Sequence, residues 1–221
     1  MQASSKHFFS QQELDSIAEA VKEAESKTSG EIVPVLASAS DDYDRACFLA
    51  AILFSLMGTA LFSAIWILLP GMFGGSVMIT AIVLIVVQFL GLLAGFYAAI
   101  SFDGVRKAFI PHRILNRQVS RAAHQAFLHF QITHTENATG ILIYVSLFER
   151  MVAVVADRSI NRKHNQETWD EVRDLLIAGL KEQNGAEGFT RAIGRCGEIL
   201  AADFPIQPDD TNELANELRL I

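Results

Sequence analysis

The residue best placed for chemistry is Asp157, which directly follows the apolar run Met-Val-Ala-Val-Val-Ala at 151–156. A short apolar run rich in valine favours a buried strand, and an aspartate at the end of such a strand has no packing role. Arg158 comes next and is a candidate ligand-binding residue. The structural alternative is that Asp157 caps a turn or pairs with Arg158 in water.

A second carboxylate, Glu31, opens another apolar run, and Thr139-Gly140 opens a third. If the strands that begin there run parallel, Glu31, Gly30, Thr139, Gly140 and Asp157 reach the same edge of one sheet. Two carboxylates with loop carbonyl oxygens suit a hard cation such as Ca²⁺ or Mg²⁺. We therefore predict Asp157 and Glu31 as metal ligands and Gly30, Thr139 and Gly140 as ligand-binding positions, although no cofactor is certain.

Other catalytic patterns are weak. The sequence has neither a GxxxxGK phosphate loop nor a GxSxG elbow. The pair Asp42 and Asp44 resembles a phosphotransfer motif, but four residues separate it from the preceding strand, which favours a solvated linker. The histidine spacings of five residues do not share a helix face, which disfavours a zinc site.

Residues 46–102 dominate the organisation of the chain, because these 57 residues include no Asp, Glu, Lys, Arg or His. A Pro/Gly-rich turn at 70–75 divides them into halves of 24 and 27 residues, 46–69 and 76–102. About 20 apolar residues cross a bilayer, and a lipid-embedded backbone must be helical. The pattern predicts a transmembrane helical hairpin, and the alternative is a buried hairpin in a soluble protein.

The distribution of charge predicts orientation and excludes one class of partner. Five basic residues follow the hairpin, and the turn has none: Arg106, Lys107, Arg113, Arg117 and Arg121. Basic flanks stay in the cytoplasm, so we expect a multi-pass protein of the cell (inner) membrane with both termini cytoplasmic. The net charge of −7 disfavours nucleic acid.

The soluble segments, 1–45 and 103–221, predict one discontinuous α/β domain with the hairpin inserted, followed by a tail at 206–221 with a short helix. Ser10 and Glu13 form a helix-capping box, and Pro34 in the first strand indicates an edge or a bulge. The predicted elements are a helix after Ser10, strand 31–37, the hairpin, helix 115–131, strands 139–147 and 151–156 as an antiparallel hairpin, a helix from a capping box at Thr168, and helix 188–203.

Several runs of this sequence resemble the TPM domain family. They are Thr28-Ser-Gly-Glu-Ile32, Thr139-Gly-Ile-Leu-Ile-Tyr-Val-Ser146, Glu149-Arg-Met-Val-Ala-Val-Val-Ala-Asp157, Trp169, and the segment from Gly188 through Ile193 and Gly197 to Phe204-Pro205. One departure is Ser159, where the family pattern often has Gly. The resemblance implies a Rossmann-like α/β domain, usually tethered to a membrane, with divalent-metal binding in some members. The family is often labelled a phosphatase family, and many members look like helpers of larger membrane assemblies.

Two functions follow. The first is a non-enzymatic, membrane-anchored TPM-like module that binds a membrane protein or its assembly machinery. The second is a metal-assisted phosphatase acting on phosphomonoesters through Asp157 and Glu31. The sequence leaves open whether any catalysis occurs and whether the protein forms a homo-oligomer.

Overall fold

The computed structural model describes residues 5–69, 77–135, 138–207 and 211–221. The predicted turn at 70–75 and the tail residue Asp210 lie outside the described residues. The helices are α1 (Gln11–Glu25), α2 (Asp44–Leu68), α3 (Val77–Ser101), α4 (Asp103–Ala108), α5 (His112–His129), α6 (Arg158–Asn161), α7 (Gln166–Lys181) and α8 (Gly185–Asp203). The strands are β1 (Glu31–Ala37), β2 (Gly140–Ser146), β3 (Met151–Ala156) and β4 (Arg219–Leu220).

The chain divides into two compact units, one formed by residues 42–114 and the other by residues 3–41 together with 115–221. The second unit holds a mixed four-stranded sheet in the order β3-β2-β1-β4. β1 runs parallel to β2, with Glu31 opposite Gly140, and β2 runs antiparallel to β3. The mixed α/β class and the antiparallel β2–β3 hairpin confirm the sequence prediction, and β1 meets the condition of running parallel to β2.

Helices cover both faces of this sheet, which gives a three-layer unit. One face packs on α1, α7 and α8 through residues such as Ile17, Trp169 and Phe189. The other face packs on α5 through residues such as Val119 and Phe127. The alternation of strand side chains between the two covered faces explains why β1 and β2 are buried at every position.

The first residues of α1 and α7 show how side-chain caps determine where a helix begins. The capping box of Ser10 and Glu13 is present at the start of α1, as predicted. The box predicted at Thr168 is wrong, because α7 begins earlier and Asn165 is its N-cap. The Asn165 side chain accepts a hydrogen bond from the Thr168 amide at 3.3 Å. Asparagine is at least as good an N-cap as threonine.

The tail corrects another expectation. The sequence predicts a short helix in 206–221, but the described residues 211–221 contain no helix and end in β4, which pairs with β1. Leu214 and Leu218 pack against opposite faces of the sheet. The segment between them is irregular and passes from one face of the sheet to the other, so their spacing of four residues does not reflect a helix.

Pro34 lies inside the sheet at a position where its missing N–H costs no ladder bond. Leu36 accepts a hydrogen bond from the Ile221 amide at 3.0 Å, and Ser38 donates to the Ile221 carbonyl at 2.8 Å. Even-numbered residues of β1 therefore face β4. Because β4 pairing begins opposite Val35, the Pro34 nitrogen lies on the β4 side of β1, just before β4 begins. Pro34 therefore belongs to an inner strand, but at this residue the β4 side of the strand is an edge, as the sequence predicted.

The other unit is built on α2 and α3, each 25 residues long, both long and apolar enough to cross a membrane. The two helices pack closely through glycines of α3. A Cβ atom at Gly95 would lie 2.7 Å from the Ala50 carbonyl oxygen, and one at Gly91 would lie 2.7 Å from the Ser55 Cα. Ser55 also donates a hydrogen bond to the Gln88 carbonyl at 3.0 Å. Small residues therefore set the contact between these helices.

Gly140 tests how tightly the sheet packs. A Cβ at this position would lie 2.2 Å from Ile132 Cγ2 and 2.9 Å from the Ile132 carbonyl oxygen, so we expect Gly140→Ala to destabilise the protein by about 1–3 kcal/mol. The matched control is Gly194→Ala, since Gly194 lies inside α8 with nothing within 4 Å of an added Cβ. That change should stabilise the protein by about 0.5–1 kcal/mol. Thermal unfolding of both full-length variants in detergent measures the two shifts, and equal shifts would contradict the packing described for Gly140.

Candidate functional site

The structure places the predicted site residues along one edge of the sheet. Glu31 and Gly140 begin two neighbouring strands and lie opposite each other. Asp157 follows β3, and its amide donates a hydrogen bond to the Gly140 carbonyl at 2.9 Å. The two carboxylates thus belong to strand ends on either side of β2. Because β2 separates them, each carboxylate has its own set of contacts.

Asp157 is only 7% exposed and caps a short helix. Its Oδ1 accepts a hydrogen bond from the Arg158 amide at 2.6 Å, at the start of α6. Its Oδ2 is buried and has no hydrogen-bond partner among the described residues. Arg158 itself is exposed. A buried carboxylate oxygen without a donor is costly, so one oxygen of Asp157 has a structural role and the other is buried without a partner among the described residues.

Glu31 is also 7% exposed, and its carboxylate holds the C-terminal segment. Its Oε1 accepts from the Glu213 amide at 3.0 Å, and its Oε2 accepts from the Leu214 amide at 3.2 Å. Both oxygens therefore satisfy backbone donors of the segment that leads into β4. Within the described ranges, no group of three or more His, Cys, Asp or Glu residues is arranged to hold a metal ion. The predicted metal pair of Asp157 and Glu31 remains a prediction.

The predicted ligand-binding positions Gly30 and Thr139 are held by hydrogen bonds within the segments that lead into β1 and β2. Thr139 is buried; its hydroxyl donates to the Ser29 carbonyl at 2.9 Å, and its amide donates to the Thr135 hydroxyl at 3.2 Å. The Gly30 amide donates to the Thr28 hydroxyl at 3.2 Å. A Cβ at Gly30 would lie 2.8 Å from Leu200 Cδ1. The contacts of Gly30, Thr139 and Gly140 are therefore ones that stabilise the fold: they pack the backbone closely and connect the segments before β1 and β2.

A cleft of about 630 Å³ lies beside Glu31, between α1 and the tail. Its charged lining is mostly acidic: Asp15, Glu19, Glu25 and Glu31, with Lys22 as the basic residue. Glu25 accepts a hydrogen bond from the Ile32 amide at 2.8 Å through Oε1. The cleft therefore joins Glu31 to the exposed acidic face of α1.

The opposite end of the sheet holds a polar cluster that the sequence analysis missed. Glu149 is buried; its Oε1 accepts from the Ser40 amide at 2.9 Å, and its Oε2 accepts from the Ser146 hydroxyl. The Ser40 hydroxyl lies 3.2 Å from the Tyr144 hydroxyl. Burial raises the pKa of Tyr144, the Ser40 hydrogen bond lowers it in part, and the charge of Glu149 raises it further. The phenol is thus neutral and able to donate at physiological pH.

A cleft of about 410 Å³ adjoins this cluster, where the strands β1 and β4 end. The carboxyl ends of parallel strands are the usual ligand position in α/β sheets. Its lining is largely apolar, with hydroxyl, amide and imidazole groups: Ala39, Ser40, Ala122, Gln125, Ala126, His129, Phe130, Tyr144 and Ile221. This chemistry suits binding of an uncharged group. Residues 139–146 read only as an apolar strand in the sequence, so the polar tip of Tyr144 carried no separate signal.

The comparisons with known proteins show a fold. No protein-family model matches this sequence, and no curated protein matches it. Among solved structures, the chain is similar to the NMR structure of BA42 protein from the psychrophilic bacterium Bizionia argentinensis sp. nov.. The TM-score is 0.58 at 20% sequence identity, and the match covers 97% of this chain and 96% of that chain. At this identity the likeness establishes a shared fold and transfers no residue role.

The role of Glu31 in holding the tail is testable by hydrogen exchange. We expect Glu31→Gln to accelerate exchange of the Glu213 and Leu214 amides by about tenfold or more, because a hydrogen bond to a charged group contributes about 1.5–3 kcal/mol. The matched control is Glu19→Gln in the same cleft, whose ion pair with Lys22 is 3.9 Å long and largely exposed. Unchanged exchange at both amides in Glu31→Gln would contradict this role.

Proposed function

We propose that this chain is a membrane-anchored α/β protein of the Rossmann-like TPM type that binds a membrane-protein partner as an assembly module. The α2–α3 hairpin is the anchor. Each helix is 25 residues long, or about 37 Å at 1.5 Å per residue, against a hydrocarbon core of roughly 30 Å. In α3, no residue of the apolar 18-residue window is buried against the rest of the protein. A core helix of a soluble protein would bury such a window, so the exposed surface favours lipid.

The observation that supports a protein partner is the position of Gln88. This residue lies at the middle of α3, and its side chain is exposed on the apolar surface of the hairpin. Neighbouring Phe89 is 60% exposed. A carboxamide in hydrocarbon costs several kcal/mol unless another group accepts and donates its hydrogen bonds. A polar group on a helix of another membrane protein supplies that partner.

Affinity capture of the full-length protein from detergent-solubilised membranes tests this proposal. We expect one partner protein to co-purify in a fixed ratio with the wild type and to fall at least fivefold with Gln88→Leu, because leucine has no hydrogen-bonding group. The matched control is Phe89→Leu, which keeps an apolar side chain at the neighbouring exposed position and should retain the partner. Recovery of the protein with no fixed partner in repeated trials, or equal loss in both variants, would refute the proposal.

A second candidate function is a metal-assisted phosphatase, favoured by the buried Oδ2 of Asp157, which has no donor among the described residues. A divalent cation bound there would activate water for attack on a phosphomonoester. In this reading Glu31 must leave the tail amides to bind the same ion. Hydrolysis of a chromogenic phosphomonoester that requires Mg²⁺ or Ca²⁺ and is lost in Asp157→Asn favours this function; activity unchanged by Asp157→Asn removes it.

The proposed topology places both termini in the cytoplasm. The basic residues between Arg106 and Arg121 follow α3, and moving them across the membrane opposes the positive-inside bias. We expect a membrane-impermeant maleimide on intact cells to label a cysteine at Ser76 and not cysteines at Gln12 or Ala215, both exposed in the folded chain. Each cysteine is introduced singly into a background lacking Cys47 and Cys196.

Permeabilised cells provide the control, since the Gln12 and Ala215 positions should then react fully. Labelling at both positions in intact cells reverses the orientation. Labelling at only one of them contradicts a two-span hairpin.

A further inference from the structure

The two edges of the sheet differ in how they are protected. The β4 edge is two residues long and carries Arg219. The β3 edge is six residues long, contains no charged residue, proline or glycine, and pairs with β2 without a bulge. Natural sheets usually block a long apolar edge with a charge, a proline or a bulge. The unprotected β3 edge is therefore a surface suited to pairing with another strand.

The register shows which backbone groups face outward from β3. The Asp157 amide bonds the Gly140 carbonyl, and in an antiparallel pair the bonded positions alternate. Residues 151, 153 and 155 therefore bond β2. Val152 and Val154 point both their N–H and C=O groups away from β2, as does the Ala156 N–H. The Ala156 carbonyl already accepts a bond from the Asn161 side chain at 2.5 Å.

We propose that β3 pairs antiparallel with β3 of a second copy of this chain, joining two four-stranded sheets into one of eight strands. The outward groups of Val152 and Val154 are symmetric about Ala153. A twofold axis at Ala153 sets Val152 of each copy opposite Val154 of the other and forms four backbone hydrogen bonds. The engaged carbonyl of Ala156 disfavours a register centred on Val154, which would need that group.

The side chains of β3 fit this twofold arrangement. Ala153 meets its own copy at the axis on one face of the sheet, and the valines meet on the other face. All are half-buried and apolar, so the pairing brings no like charges together and extends the two cores across the axis. A twofold contact of this kind closes with two copies and leaves no β3 edge exposed.

Disulfide trapping of the full-length protein in detergent tests the register. Ala153→Cys is introduced into a chain with Cys47→Ala and Cys196→Ala. Directly opposed residues at a non-hydrogen-bonded antiparallel position have Cα atoms about 4.5 Å apart, within the range for a disulfide. We expect mild oxidation to give mostly covalent dimer. The control is Asp174→Cys, an exposed position on α7, which should give at least tenfold less.

The Val154→Pro variant distinguishes backbone pairing between two copies from disulfides that form by random collision. The Val154 N–H faces outward, so proline removes a bond to the second copy and none to β2. We expect the dimer mass from light scattering to fall to that of a monomer and trapping at position 153 to fall tenfold, with an unchanged circular dichroism spectrum. If this variant does not fold, the comparison of the two cysteine positions and the mass of the wild type decide.

Three results would overturn the proposal: a monomer mass for the wild type at about 50 μM, equal trapping at positions 153 and 174, or a folded Val154→Pro protein that remains dimeric. Co-purification of a different protein that protects the β3 amides from hydrogen exchange also overturns it, since another strand then occupies the edge. The proposal concerns the α/β unit alone, so its outcome does not depend on membrane insertion of α2 and α3.

Discussion

The parallel pairing of β1 with β2 is the constraint on which the rest of the structure depends. β1 ends at Ala37 and β2 begins at Gly140, so 102 residues connect two adjacent strands. A parallel pair needs a connection that returns the chain to the end from which the first strand started. Here that connection contains α2, α3, α4 and α5. The sheet therefore forms only if the chain returns after α3 to the side on which β1 began.

Buried carboxylates hold the loops at both ends of this pair. Glu31 accepts two tail amides at one end, and Glu149 accepts the Ser40 amide and the Ser146 hydroxyl at the other. A buried carboxylate is tolerable only with such donors, so each acid fixes the segment that supplies them. Glu149 thereby positions the chain that leaves β1 toward α2. Asp157 differs, because only one of its oxygens is satisfied by the described residues.

The sequence predicted the features that depend on local pattern. Periodicity located α1, α5, α7, α8 and β1 to β3, and the short connection between β2 and β3 predicted their antiparallel pairing. The placement of Glu31, Gly140 and Asp157 along one edge then followed on the condition that β1 runs parallel to β2. The role of Glu31 could not, because its partners at 213 and 214 are distant in sequence and apolar spacing there imitates a helix. The Tyr144 cluster also depends on three segments that meet only in the fold. Contacts between backbone amides and side chains leave no periodic signal.

Two surfaces of the single chain are not fully stabilised by water: the apolar surface of α2 and α3, and the outer edge of β3. The apolar surface of α2 and α3 is unstable in water, and the outward amides and carbonyls of Val152 and Val154 interrupt an otherwise half-buried strand in the α/β unit. Lipid removes the first problem but does nothing for the second, since a hydrocarbon surface offers no hydrogen bonds. Water satisfies the strand groups but leaves the valine side chains only half-buried. A second strand satisfies both the backbone and the side chains of β3, so the α2–α3 pair and the sheet edge need different partners.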